Sequence, residues 1–154
     1  MYKQFGDVMS ASPATDEEHD RWCMAVRLLG RIEQELDRVL RRGHGLPLPE
    51  YRALCALVLA REDGGLRMRE LSERIGLKES SVTRLVIRLE HDGLTERTAG
   101  GSDRRAVTAS ITAEGYRRYT EATPTYRAVL GEELDQAEQN QYLAALAAWV
   151  RDPR

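Results

Sequence analysis

A short segment near the middle of the chain combines hydroxyl groups and cations at helical spacing. If this segment forms a helix whose apolar residues face the core, its exposed side chains are those of Lys78, Ser80, Ser81, Thr83, Arg84 and Arg88. Hydroxyl groups bond phosphates or bases at close range, and one arginine can donate two hydrogen bonds to a guanine. We expect Arg84 to make that base contact and Lys78 to touch a phosphate. The segment therefore predicts a surface that enters the major groove of double-stranded DNA.

A second cationic group follows a flexible turn at Gly100 and Gly101. Arg104 and Arg105 come soon after this turn, and Asp103 directly precedes them. Arginine side chains at the end of a protruding hairpin suit a narrow minor groove, where the potential is most negative. We interpret Asp103 as a support that orients an arginine rather than as a DNA contact. The pattern predicts a basic hairpin tip, the wing.

The elements that would position these side chains follow from the hydrophobic periodicity. Four helices are predicted before the hairpin, over residues 15–42, from Pro47 to a stop at 63–65, over 68–75 and over 79–91. The first begins with a capping box of Thr15 and Glu18, and the third ends at Gly76. After residue 93 the period changes to two, which predicts strands over residues 94–98 and 106–111.

Two more helices are expected after the hairpin. One begins at Thr112, and Pro124 should kink or interrupt it, because proline lacks the backbone donor. The last would begin at Asp135, with Glu138 completing a second capping box. Residues 144–150 (AALAAWV), together with the long first helix, offer more apolar surface than a small winged domain can cover, which indicates a homodimer.

Together these elements predict a mainly α fold. It would be a winged helix-turn-helix with about six helices and a two-stranded β-hairpin wing. Residues 47–111 would form the DNA-binding domain, and the helices at 15–46 and 112–154 the dimerisation region. Residues 1–14 would form a flexible tail, because they are polar and aperiodic.

Composition argues against several classes of protein. The chain has 154 residues, of which 42% are hydrophobic and 31% charged, and a net charge of −2, as is typical of a globular domain. No apolar run approaches the ~20 residues of a membrane-spanning helix, so we expect no membrane contact and a cytoplasmic location. The sequence has no glycine-rich phosphate loop and no recognisable nucleophile with its base. We therefore expect neither an enzyme nor a cofactor.

Four stretches of the sequence resemble the MarR family of winged helix-turn-helix transcriptional regulators. They are residues 68–77 (MRELSERIGL), 81–94 (SVTRLVIRLEHDGL), 103–107 (DRRAV) and 111–115 (ITAEG). The resemblance implies a homodimer with intertwined terminal helices, two wings on a pseudo-palindromic operator, repression as the usual action, and a ligand-sensitive cleft. It also implies that Arg105 enters the minor groove with Asp103 as its structural partner. Lys78 departs from the pattern, because the family usually has a small hydroxyl cap there.

Two mechanisms of control remain open in the sequence. A small aromatic or phenolic effector could bind between the first, second and fifth helices, with Trp22, Tyr51 and Tyr116 as walls, although such rings could equally fill the core. The alternative is a thiol-based repressor, because Cys23 lies where the peroxide-sensing branch of the family keeps its reactive cysteine. A reactive thiol needs access and a lowered pKa, so plain buried cysteines at Cys23 and Cys55 are the default interpretation.

Two further alternatives rest on fewer residues. His19 and Cys23 are four residues apart, which is metal-ligand spacing, but two candidate ligands do not make a site and we predict no metal. The winged domain could also serve protein contacts alone. Charge reversal at Arg84 and Arg105 separates that possibility from DNA binding.

Overall fold

A computed structural model describes residues 12–99 and 106–152 of the chain. In these ranges the helices are α1 (Asp16–His44), α2 (Leu48–Leu59), α3 (Met68–Ile75), α4 (Glu79–His91), α5 (Ala113–Glu138) and α6 (Ala144–Arg151). Three short strands, β1 (Leu66–Arg67), β2 (Thr95–Ala99) and β3 (Val107–Ile111), form one antiparallel sheet in the order β1-β3-β2. The mainly α, winged helix-turn-helix prediction is confirmed. No helix in these ranges has the length and apolar character needed to cross a membrane.

The long first helix begins where the sequence predicts and ends at His44, two residues later than predicted. Thr15 Oγ1 accepts a hydrogen bond from the Glu18 amide at 3.2 Å, and Glu18 Oε2 accepts one from the Thr15 amide at 2.7 Å. This capping box satisfies two donors that a helix N-terminus would otherwise leave free. At the other end Gly45 adopts the left-handed conformation, with a φ of 59°. Most of the predicted tail, residues 1–14, lies outside the described residues.

The second helix is shorter than predicted. It begins at Leu48, whose amide donates to Asp37 Oδ1 of α1 at 2.9 Å. It ends at Leu59, and a single 3-10 turn, Arg61–Asp63, fills the space before the predicted stop. This turn leads the chain directly into β1.

One hydrophobic core joins the second half of α1 to α2 and the helix-turn-helix. Leu36 and Leu40 of α1 belong to the same cluster of buried residues as Leu54 and Leu57 of α2. The second helix of the helix-turn-helix, α4, contributes Val82, Leu85, Val86 and Leu89, none of them more than 2% exposed. Because this face of α4 is packed, the rotation of the helix is set and its other face must point outward.

The sheet has one strand more than the predicted two-stranded wing. β1 pairs with β3, with Leu66 opposite Ala109, while β2 pairs with β3 along its whole length. A strand of two residues is too short to show an alternating pattern, which is why the sequence did not reveal it. Because β1 directly precedes α3 and pairs with β3, it holds the start of α3 against the base of the wing.

The fifth helix continues through Pro124, so the predicted interruption is wrong. The proline removes the backbone donor for the Thr120 carbonyl. Two threonine hydroxyls add hydrogen bonds within the turns before the proline, since Thr120 Oγ1 donates to the Tyr116 carbonyl at 2.8 Å and Thr123 Oγ1 donates to the Tyr119 carbonyl at 2.7 Å. The helix also packs along α1 and α2, with Ala122 fully buried, and these contacts stabilise it on both sides of the proline.

The predicted start of the last helix at Asp135 is also wrong. Asp135 and Glu138 lie in the final turns of α5, and α6 begins at Ala144. Both carboxylates bind Arg151, from Asp135 Oδ1 at 2.6 Å and from Glu138 Oε1 at 2.8 Å. The spacing that resembles a capping box therefore serves an ion pair between α5 and α6.

Gly115 lies where α5 passes the end of the wing. A Cβ atom at this position would lie 2.0 Å from the Leu94 carbonyl oxygen and 2.9 Å from Ile111 Cγ1. Because the first of these atoms is backbone and cannot move aside, we expect Gly115→Ala to lower the free energy of unfolding by about 2–3 kcal/mol. A lower Tm in a thermal melt would report this loss.

Gly131→Ala in the same helix is the matched control. Nothing outside the neighbouring helical turns lies within 4 Å of a Cβ at this position. The change should leave the Tm unchanged or raise it, because alanine favours a helix interior over glycine. Equal melting temperatures for the two variants would contradict the close approach at Gly115.

Candidate nucleic-acid interface

The outer face of α4 carries the side chains that the sequence assigns to the DNA groove. Ser80, Ser81 and Arg84 are exposed, while the opposite face of the helix packs into the core. In the part of the chain that the structure describes, neither serine hydroxyl and no guanidinium nitrogen of Arg84 has a hydrogen-bond partner. These three side chains are therefore available to a ligand from outside.

The start of α4 lacks the usual side-chain cap. Lys78 occupies the N-cap position in an extended conformation, and its side chain makes no capping hydrogen bond. The helix therefore begins with free amide donors and the positive end of its dipole, an arrangement that suits an anion such as a phosphate. Lys78 is itself exposed, so its ammonium group adds to this positive field.

Thr83 and Arg88 lie on the predicted face but have partners within the protein. Thr83 Oγ1 donates to the Glu79 carbonyl at 3.0 Å, so only its acceptor capacity is free. Arg88 Nε lies 3.4 Å from Oε1 of Glu50, a residue of α2 that is only 8% exposed. The Arg88 side chain is nevertheless 60% exposed. Its guanidinium can therefore bind outside the protein while it contacts Glu50.

The predicted wing tip falls outside the described residues. Asp103, Arg104 and Arg105 lie between the end of β2 and the start of β3. The strands bring the two ends of this segment together, since Ala99 pairs with Val107. The assignment of the two arginines to DNA contact, and of Asp103 to their support, stays a prediction.

A cleft of about 380 Å³ separates the base of the wing from the helix-turn-helix. Three arginines line it, Arg67 in β1, Arg69 in α3 and Arg97 in β2. Arg69 pairs with Glu73 at 3.2 Å, and Arg97 pairs with Glu90. The sequence alone does not reveal these cations as neighbours, because the cleft exists only once β1 has paired with β3. Arg67 is the one arginine of this cleft without an ion-pair partner among the described residues, and Glu79 also lines the cleft.

A larger cavity of about 810 Å³ lies between α2, α3 and α5. Three tyrosines stack on its wall, with the ring centroid of Tyr51 5.4 Å from that of Tyr119 and 4.5 Å from that of Tyr126. Burial raises the pKa of Tyr51 to about 12, because an apolar environment disfavours the charged phenolate. Its hydroxyl shares a hydrogen bond with Thr123 Oγ1 at 3.1 Å.

This cavity differs from the predicted cleft in its lining. Tyr51 lies on its wall, but α3 replaces α1 as the third side. Trp22 is 69% exposed on α1 and Tyr116 is 41% exposed on α5, and neither lines the cavity. Tyr119 and Tyr126 do so instead. Their spacing of two helical turns places them on one face of α5. This spacing predicts a cavity wall only when the helix that packs against that face is known.

Three arginines surround the cavity. They are Arg52, Arg74 and Arg127. Arg52 is held by Glu33 of α1 through two hydrogen bonds of 2.6 Å. Arg127 is exposed and has no ion-pair partner among the described residues. Since Glu73 is the one acidic residue in the lining, the cavity combines an aromatic wall with a positive rim. That combination suits an aromatic anion.

The two cysteines occupy different environments, and neither is fully buried. Cys23 is exposed because the first half of α1 extends beyond the core, so the plain buried interpretation is wrong for the single chain. Cys55 is half-buried on the cavity wall, where the Tyr119 hydroxyl donates to its sulfur at 3.7 Å. No group of three or more metal-binding side chains occurs across residues 12–99 and 106–152.

Two helices keep large apolar side chains in contact with solvent. These exposed side chains are Trp22, Val26 and Leu29 on α1, and Leu146, Trp149 and Val150 on α6, each at least 38% exposed. A small core of Ala137, Leu143 and Ala147 packs against Leu28 and Ile32 of α1. The two apolar faces therefore lie at the same end of the molecule. Large exposed apolar patches on soluble chains usually mark an interaction surface.

Comparison with known proteins identifies the same architecture. Residues 47–107 match the model of the MarR family. The HTH-type transcriptional repressor MdtR of Bacillus subtilis (strain 168) is 32% identical over 92 residues, which are 60% of this chain and 59% of the repressor. The chain thus matches about three fifths of the length of its curated relatives.

Solved structures extend the similarity to the terminal helices. Sco3205, a MarR family transcriptional regulator from Streptomyces coelicolor in complex with DNA, is 28% identical with a TM-score of 0.75 over 92% of this chain and 90% of that chain. CouR from Rhodococcus jostii RHA1, bound to p-coumaroyl-CoA, is 28% identical with a TM-score of 0.65 over 77% of this chain and 81% of that chain. Sequence and fold agree, since residues 47–107 match the MarR family model and the whole described fold resembles solved MarR family regulators of the winged helix-turn-helix type.

Proposed function

We propose that this chain is a transcriptional repressor that binds a pseudo-palindromic DNA operator as a homodimer and is released by a small effector. The observation that carries the proposal is the outer face of α4, where Arg84 and the hydroxyls of Ser80 and Ser81 have no partner in the described ranges. The buried face of the same helix restricts its rotation. A rigid helix with free donors meets the requirements of major-groove readout. The DNA complex of the Streptomyces coelicolor regulator supports this assignment.

A second copy of the chain is the partner that suits the exposed faces of α1 and α6. A two-fold interface would cover both apolar faces at once, because each protomer presents the same surface. It would also present two copies of α4 to successive major-groove faces of the duplex, about 34 Å apart. In this arrangement residues 15–46 and 112–154 form the dimerisation region, and residues 47–111 form the DNA-binding domain.

The cavity between α2, α3 and α5 is the proposed effector site. An aromatic ring would stack on the tyrosine wall, and an acidic group would pair with Arg127 at the rim. The cavity also borders Ile75 and Gly76, at the turn between the two helices of the helix-turn-helix. A ligand there would contact the element that supports α4. The p-coumaroyl-CoA complex of CouR supports an aromatic ligand.

Arg127 provides a direct test of the effector chemistry. We expect Arg127→Gln to raise the concentration of p-coumarate needed to release DNA by about tenfold, because a charge-assisted hydrogen bond is lost. Titrating p-coumarate into the protein–DNA complex measures this concentration. Arg42→Gln makes the same change of charge at an exposed site on α1 and should respond as the wild type does. An unchanged response of the Arg127 variant would remove Arg127 from the effector site.

Oxidation of Cys23 is the alternative mechanism of release. The sulfur is exposed, which oxidation requires. In the described part of the chain, however, no hydrogen bond or ion pair joins it to a basic side chain, and such a cation is what stabilises a reactive thiolate. We therefore favour release by a ligand in the cavity.

A mobility-shift experiment tests the proposed function and separates the two mechanisms. The probe is a duplex that the wild-type chain selects from a random library, and p-coumarate or an organic peroxide is added to wild type and to Cys23→Ser. We expect p-coumarate to release DNA from both proteins and peroxide to release it from neither. Peroxide release of wild type alone would assign control to Cys23. A wild-type chain that selects no duplex would contradict DNA binding.

A further inference from the structure

The contact between α2 and α4 adds a residue to the DNA-binding machinery that does not itself face DNA. We propose that the buried carboxylate of Glu50 positions Arg88 so that the two terminal nitrogens of its guanidinium contact DNA. This inference rests on the proposed function, since Arg88 can have such a role only if α4 binds DNA.

The burial of Glu50 is the first observation behind this proposal. Glutamate is almost never so buried unless it is paired, and Glu50 is 8% exposed. Its one side-chain partner in the described ranges is Arg88, across 38 positions of sequence. A buried carboxylate whose side chain contacts a single arginine has a fixed position, whereas a surface ion pair between two mobile side chains does not.

The atoms that make the contact are the second observation. Glu50 Oε1 approaches Nε of Arg88 at 3.4 Å, and the terminal nitrogens Nη1 and Nη2 have no hydrogen-bond partner among the described residues. An arginine presents its donors in a rigid planar fork. When Nε faces a carboxylate, the terminal pair remains free for the bidentate contact that arginine makes with a phosphate or a guanine.

The position of Glu50 in α2 connects this contact to the cavity. Glu50 directly precedes Tyr51 and Arg52, which both line the cavity. α2 is packed along its length, with Ala53, Leu54 and Leu57 fully buried, so we treat it as one rigid body. A ligand that displaced α2 would move the carboxylate relative to Arg88. Glu50 is thus placed so that binding of a ligand in the cavity can change the position of Arg88 on α4.

Positioning and simple charge neutralisation have opposite consequences when Glu50 loses its charge. If the carboxylate only reduced the positive charge of α4, Glu50→Gln would strengthen binding to any DNA, because repulsion of phosphates would disappear. If it positions Arg88, the same change weakens binding to the selected duplex. Glutamine has nearly the same shape, so the packing around position 50 is kept.

A double-mutant cycle measured by fluorescence anisotropy tests the proposal. The probes are the duplex selected by wild type and a scrambled duplex of the same composition. We expect Glu50→Gln to weaken binding to the selected duplex by about five- to tenfold and binding to the scrambled duplex by less than about twofold. In an Arg88→Ala background the same change should have no further effect. Glu17→Gln, which alters net charge equally at the start of α1, should bind as the wild type does.

Equal or tighter binding of Glu50→Gln to the selected duplex would overturn the proposal, and so would an equal loss in the Arg88→Ala background. Should Glu50→Gln fail to fold in a thermal melt, Arg88→Lys decides the question. Lysine keeps the charge but cannot place one donor on Glu50 and two on DNA, so we expect Arg88→Lys to lose affinity for the selected duplex by about five- to tenfold, as Glu50→Gln does, and to bind the scrambled duplex as the wild type does. Wild-type affinity of Arg88→Lys would overturn the proposal. Failure of wild type to select any duplex would instead contradict DNA binding itself.

Discussion

Arg84→Ala is expected to weaken binding to the selected duplex by about 100-fold, and binding to a scrambled duplex by about tenfold or less. A bidentate contact between arginine and guanine contributes about 1–3 kcal/mol to discrimination between bases, and a dimer loses two such contacts at once. Loss of a positive charge alone weakens binding to all sequences similarly. Arg84 is exposed on α4 and its guanidinium has no partner within the described residues, so its full donor capacity is available.

Anisotropy titrations with the two duplexes measure these losses, and a repeated selection with Arg84→Ala should show relaxed preference at one position of each half-site. Arg42→Ala on α1 is the matched control for charge. Arg105→Ala should lower both affinities alike, since the minor-groove contact implied by the family resemblance carries little sequence information. Equal losses on both duplexes for Arg84→Ala would contradict a base contact. Unchanged function after charge reversal at Arg84 and Arg105 would favour a domain that contacts only proteins.

Trp149→Glu is expected to convert the proposed dimer to a monomer and to weaken binding to the selected duplex by about 100-fold or more. The indole of Trp149 is 71% exposed in the single chain and lies beside the exposed Leu146 and Val150 on α6. A carboxylate placed in a two-fold interface meets its own copy or an apolar surface, and either contact is unfavourable. Loss of the dimer also removes the second α4, and with it the higher affinity for DNA that two linked contacts provide.

Light scattering after size-exclusion chromatography measures the mass of the Trp149 variant, and anisotropy measures its affinity for DNA. Ala148→Glu is the matched control, because this exposed residue lies on another side of α6 from the apolar stripe. We expect Ala148→Glu to remain dimeric. A dimeric Trp149→Glu variant with wild-type affinity would show that α6 does not contribute to the interface.

The helix-turn-helix could be predicted from the sequence because its signals are local. Val82, Leu85, Val86 and Leu89 repeat at helical spacing, and the bounds of α4, Glu79–His91, agree with the prediction. The same periodicity identified the outward face that carries Arg84. Because α4 buries only one face, the position of its buried residues also gives the position of its exposed ones.

The features that the sequence did not reveal depend on contacts between distant segments. Pro124 would end an isolated helix, but packing against α1 and α2 stabilises α5 on both sides of it. Glu50 appears as an ordinary charged residue near the start of a helix, and its burial against Arg88 emerges only when α2 and α4 are packed. The tyrosine wall formed by Tyr51, Tyr119 and Tyr126 joins residues of two helices in the same way.

The affinity of the wild-type chain for its selected duplex, compared with a scrambled duplex at about 150 mM salt, tests most directly whether this protein reads DNA through α4. We expect the selected sequences to share a pseudo-palindrome whose half-sites lie about one helical turn, or a multiple of it, apart. One dimer should bind each duplex, at least about 1,000-fold more tightly than it binds the scrambled sequence. Equal affinity for the two duplexes, or selection that enriches no sequence, would contradict sequence-specific DNA binding by this chain.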